Sequence, residues 1–90
     1  MKRFEIEVVG HVQGVGFRSF VEQESLNWDV TGTVKNMDNG NVLIYVQGEE
    51  SQIQSFLSNI KKGNQFSKVE HVATKEKTII NDELRFRTIY

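Results

Sequence analysis

The chain of 90 residues contains no cysteine. That excludes disulfides, thiolate nucleophiles and zinc–thiolate sites. Histidine is almost as scarce: His11 and His71 are the only two, and neither belongs to a Glu-x-x-His or His-rich cluster. No dedicated metal site is therefore expected. No apolar run approaches the ~20 residues of a membrane span. Neither sign of charge dominates, with 11 Lys and Arg against 12 Asp and Glu for a net charge of −1. A strong pull toward nucleic acid or an anionic membrane is thus absent. The first residues, Met1-Lys2-Arg3-Phe4-Glu5, turn acidic at once and lack the apolar block of a signal peptide. Together with the missing cysteines, this fits a cytoplasmic protein. No repeat, linker or low-complexity stretch divides the chain, so residues 1–90 are expected to form one domain and, with nothing demanding more, a monomer.

What is present is periodicity of two kinds. Phe4, Ile6 and Val8 alternate with Glu5, Glu7 and Val9, the pattern of a strand with one buried face. From Phe17 to Trp28 the residues Phe17, Phe20, Val21 and Trp28 recur at helical spacing, with Leu26 poorly placed on that stripe. Val30, Gly32 and Val34 alternate again. Asp38-Asn39-Gly40 is a turn signal, because Asn and Gly tolerate positive φ. Val42, Ile44 and Val46 form the buried face of a returning strand. Ile53, Phe56, Leu57 and Ile60 make the stripe of a second helix, with Glu49 and Glu50 at its start and Lys61, Lys62 and Gly63 at its stop. Val69 and Val72 mark a fourth strand, and Leu84 to Tyr90 a final one carrying Phe86 and Thr88 on one face. The order β-α-β-β-α-β, with its last segment split into two strands, predicts a ferredoxin-like α+β sandwich: an antiparallel sheet with two helices on one face.

Chemistry concentrates between the first strand and the first helix, in Gly10-His11-Val12-Gln13-Gly14-Val15-Gly16-Phe17-Arg18. Backbone N–H groups at a helix start have no intrahelical partners, and the helix dipole adds positive charge there. Glycines let such a loop curl into a concave nest of N–H groups, and arginine adds a planar fork of donors. The combination is an oxyanion cradle. It is not a Walker loop, since no Gly-Lys-Ser/Thr follows, nor the dinucleotide fingerprint, which wants glycine where Ser19 stands. By composition alone the same glycines also serve a tight turn between strand and helix.

A second segment, Gly32-Thr33-Val34-Lys35-Asn36-Met37-Asp38-Asn39-Gly40-Asn41-Val42 closed by Gly48, reads as strand, turn and returning strand. Together the two segments resemble the acylphosphatase family. The first matches Gly-x-Val-Gln-Gly-Val-Gly-Phe-Arg at every fixed position, the second fits the family spacing throughout, and the likeness covers essentially the whole chain. The resemblance implies hydrolysis of the carboxyl–phosphate bond of an acyl phosphate to carboxylate and inorganic phosphate, without metal or other cofactor. It implies Arg18 as the phosphate-binding catalytic residue and Asn36 as the residue orienting the attacking water. The loop Gln13, Gly14, Val15, Gly16 and Phe17 would bind substrate. Gly32, Gly40 and Gly48 are expected to be structural, and His11 solvated.

Three features depart from the family pattern. Thr33 replaces a common aromatic. Trp28-Asp29-Val30 replaces Leu-Gly-Leu at the end of the first helix, where Asp would fit a left-handed cap less well than Gly. No proline follows Gly63. Two rival classes stay open: an anion-binding module without catalysis, of the kind built into larger enzymes, and a nucleic-acid-binding sheet. The second would use an outward aromatic such as Tyr45 but lacks the surrounding basic charge.

Overall fold

The computed structural model describes all 90 residues. Seven elements follow in order: β1 (Lys2–His11), α1 (Phe17–Ser25), β2 (Val30–Asn36), β3 (Val42–Gly48), α2 (Glu50–Lys62), β4 (Lys68–Lys77) and β5 (Phe86–Ile89). The five strands form one sheet in the order β4-β1-β3-β2-β5. Registers such as Ile6↔Ile44 and Val34↔Ile44 bring the alternating apolar residues of three strands onto one face. Ile6, Val8, Val34, Val42, Ile44 and Val46 are wholly buried there. Val21 of α1 and Ile53, Phe56, Leu57 and Ile60 of α2 close over them. Burial of this one apolar stripe per element is the main favourable term in folding.

Four strands are antiparallel as expected, and the fifth is not: β5 pairs with β2 in parallel. Connectivity explains it. Strand β4 runs antiparallel to β1 along one edge of the sheet, so it finishes near the end where β1 begins. The chain then crosses to the other edge and enters β5 from that same end, which sets β5 alongside β2 in the same direction. Residues 78–85 make the crossing. Arg3 Nη1 donates to Glu83 Oε1 at 2.9 Å and to Gln47 Oε1 at 3.2 Å, and Thr31 Oγ1 donates to Glu83 Oε1 at 2.8 Å. Gln47 Nε2 donates to the Ile80 carbonyl at 2.8 Å, while the Ile80 N–H donates to Gln47 Oε1 at 2.9 Å. The segment is thereby strapped to the sheet face that carries no helices. Tyr45 on that face is engaged too. Its hydroxyl donates to Glu5 Oε1 at 2.7 Å, and the Arg3 guanidinium lies 5.3 Å from its ring centroid.

Helix α1 is shorter than its stripe predicts. It stops at Ser25, and the N–H groups of Leu26, Asn27 and Trp28 each bond three residues back. This tight exit leaves Leu26 exposed and keeps Asp29 out of the left-handed region, since no non-glycine residue has positive φ. The left-handed strain expected at Asp29 is therefore absent; its N–H is instead capped by Gln52 Oε1 at 2.9 Å. Gly32 is structural, as expected. Its φ is +154°, and a Cβ there would run into the Tyr45 carbonyl of β3.

Candidate active site

Strands β1, β2 and β5 all end at the same end of the sheet, where α1 begins and α2 finishes. This follows from the pairing directions. A cleft of about 130 Å³ opens there, lined by Val12, Gly14, Gly16, Phe17, Arg18, Ser19, Asn36 and Tyr90. A larger open groove of about 650 Å³, among Arg3, Tyr45, Lys75 and Lys77, lies toward the start of β1 and has neither glycine loop nor helix start.

The cleft is built from the loop upward. Val12 and Phe17 are buried at either end of it and pin it to the core. Between them Gly14 and Gly16 take φ of +73° and +75°, the left-handed region that L side chains rarely adopt. Nothing lies within 4 Å of where a Cβ on Gly14 would be. Gly16 is the N-cap of α1, and no side chain caps the helix or places an acid in its first turn. The first-turn N–H groups thus keep their donor capacity and the dipole its positive end.

Arg18 stands in this first turn. Its Nη1 donates to the Ile89 carbonyl at 3.3 Å, and its Cζ lies 4.8 Å from the centroid of the Tyr90 ring. The carbonyl and the ring hold the guanidinium against the end of β5. Asn36 closes the cleft from the end of β2. Its Oδ1 is buried and accepts no hydrogen bond. A buried acceptor without a partner is unfavourable and rare, and this one belongs to a residue that lines the cleft. No Asp or Glu side chain lines the cleft, and Arg18 is its one charged side chain.

Gly14, Gly16, Phe17, Arg18 and Asn36 are therefore brought together as the sequence predicts. Gln13 and Val15 contribute differently. The Gln13 side chain turns away to the β2–β3 hairpin, where Nε2 donates to the Met37 carbonyl at 2.7 Å and the Asn41 carbonyl at 2.8 Å. It ties the loop to the turn beside Asn36. Val15 packs its side chain on the core. His11 is exposed. Tyr90 and Ser19 were missed. Nothing local in sequence pairs residue 90 with residue 18; only the parallel placement of β5 does.

A glycine loop at a helix start, with one arginine and one asparagine lining the same cleft, defines a small α+β protein with a compact polar cleft at one end of its sheet. The acylphosphatase family model matches residues 4–88, and the chain belongs to that family of enzymes. An acylphosphatase of Clostridium acetobutylicum is 43% identical over 90 residues, covering 100% of this chain and 99% of that protein. One from Geobacillus kaustophilus is 47% identical over 90 residues, covering 100% and 96%. The crystal structure of acylphosphatase from Bacillus subtilis superposes with a TM-score of 0.94 at 41% identity, over 100% of both chains.

Proposed function

We propose that the protein hydrolyses the carboxyl–phosphate bond of acyl phosphates by direct attack of water on phosphorus. The phosphoryl oxygens accept from the backbone N–H groups of residues 13–18 and from Arg18. A water donates a hydrogen bond to Asn36 Oδ1 and keeps that hydrogen, which turns its lone pair toward phosphorus in line with the scissile bond. The P–O bond to the acyl group breaks and its electron pair leaves on the carboxylate, a good leaving group that needs no acid. The water's remaining proton passes to a phosphoryl oxygen, giving inorganic phosphate. An amide is too weak a base to take that proton, and no Asp or Glu side chain lines the cleft to do so. Positioning and charge stabilisation carry the catalysis, as phosphoryl transfer requires. The N–H nest and Arg18 fill the place a metal would take, so the reaction is metal-independent in this reading.

The buried, unpartnered Asn36 Oδ1 opposite Arg18 is the observation that carries this reading. It is tested by phosphate release from a small aromatic acyl phosphate in EDTA. Wild type turns over, and Arg18→Ala and Asn36→Ala each lose roughly 10²-fold or more, the scale of one preorganised transition-state donor. Folded wild type that binds phosphate without turnover would instead mark an anion-binding module and overturn the hydrolase reading.

A further inference from the structure

Asn64 lies just past the end of α2, outside both sequence motifs. Its Nδ2 donates to the Val15 carbonyl at 2.8 Å, from beneath the phosphate loop. Its own backbone is clamped: the Asn64 N–H donates to Ser67 Oγ at 2.9 Å, and the Ser67 N–H returns to the Asn64 carbonyl at 3.3 Å. The Gly63 C-cap, at φ +72°, turns the chain into this clamp. The other end of the amide is unpaired, for Asn64 Oδ1 is buried and accepts nothing. Asn36 and Asn64 are the two residues with such an orphaned side-chain oxygen, and they flank the same loop. Turning the Asn64 amide over would set Oδ1 against the Val15 oxygen, so the Val15 carbonyl fixes its orientation.

In a planar trans peptide the C=O and N–H point in opposite directions. A Val15 carbonyl held down toward Asn64 sends the Gly16 N–H the other way, to the side where Gly16 lines the cleft. Glycine at positive φ on the C-terminal side makes this peptide easy to rotate, because no Cβ resists the turn. Something outside the loop must therefore hold it. We infer that Asn64 is a positioning residue: by holding the Val15 carbonyl it fixes the Val15–Gly16 peptide with its N–H toward the phosphoryl group. The inference rests on the oxyanion cradle proposed above. It predicts that an aspartate at this position, isosteric but acceptor-only, favours the rotated peptide, with the Gly16 N–H turned to the carboxylate and the Val15 carbonyl facing the substrate.

The test is a titration of the full chain with inorganic phosphate, followed by the backbone amide resonances of residues 13–18. In wild type the Gly14, Gly16 and Arg18 amides all shift. In Asn64→Asp and Asn64→Leu the Gly16 amide no longer responds, while Gly14 and Arg18 still do. Phosphate dissociation constants rise about 10-fold or more, the scale of one hydrogen bond to a charged group. Asn64→Leu adds no charge, so a loss there is not simple repulsion of the anion. Asn64→Gln, which keeps the donor, recovers part of the affinity. Should Asn64→Leu fail to fold, Ser67→Ala loosens the clamp without touching the amide and is read in the same way. A Gly16 amide that responds equally in wild type and variants overturns the role of Asn64 and leaves the cradle standing. No amide response in wild type removes the cradle itself.

Discussion

Asn36 and Asn39 lie on the same hairpin and do opposite things. Asn39 behaves as turn asparagines do, its Oδ1 accepting from the Asn41 N–H at 3.0 Å. Asn36 leaves its oxygen buried and unpaired. Residue type alone does not separate the two; the motif spacing does, and the structure gives the physical difference. Glu24 shows a residue whose environment no sequence pattern reveals. Burial pushes its carboxyl up, but donations from Asn59, Trp28 and Asn27 outweigh that and leave it below the usual glutamate value of 4.5. The Trp28 indole N–H reaches Glu24 Oε2 at 2.8 Å, and Asn59 of α2 reaches the same oxygen at 2.9 Å. Because the native carboxyl is lowered, its stabilisation is full above that usual value and is lost as pH falls through the native one. Urea unfolding followed by Trp28 emission is expected to show Glu24→Gln less stable than wild type at neutral pH. The gap should close as pH falls below the usual glutamate range.

At the scale of elements, both helix stripes and the paired strands β1, β2 and β3 were legible because each has one buried face and its own period. The ends were less so. The stop of α1 depends on a tight exit that exposes Leu26, and β4 extends to Lys77 along an edge whose residues are mostly exposed, so alternation there is faint. The direction of β5 was not legible at all, since it depends on where the crossing segment lands. What fixes β5 against α1 is Glu22. Its Oε1 accepts from the Thr88 N–H at 2.9 Å and from Thr88 Oγ1 at 3.0 Å, one helical turn from Arg18. Removing it leaves a half-buried N–H and hydroxyl unpaired and frees the strand end that cradles the arginine. Glu22→Ala is expected to lose about 1–3 kcal/mol of stability by urea denaturation. It should also raise KM for the acyl phosphate more than it lowers kcat, because Arg18 loses its support rather than its charge.

For the whole molecule, the face without helices is the structural risk of this architecture, and the crossing segment covers part of it. The Arg3–Glu83 pair beneath it is nearly dry, with side chains 6% and 13% exposed. Sequence distance hides it, since the two residues lie 80 positions apart. Deleting one partner strands the other charge, so Glu83→Ala is expected to cost about 3–5 kcal/mol in urea denaturation. Replacing both with apolar residues of similar volume should recover most of that loss. Activity per folded molecule is expected to persist, since the pair lies at the end of the sheet away from the cleft.

The strand order has a consequence in time. Only β2 and β3 are joined by a short hairpin; β1 must find β3 and β4, and β2 must find β5, across long stretches of chain. Such distant pairings close loops before contacts repay the lost entropy, which places folding among slow topologies. The glycine loop is formed by residues near the beginning, yet its tethers arrive from Met37, Asn64 and Ile89. Its conformation is therefore expected to be among the last things the chain acquires: a molecule caught midway would have its helices and much of its sheet, and not yet the cleft on which the proposed chemistry depends.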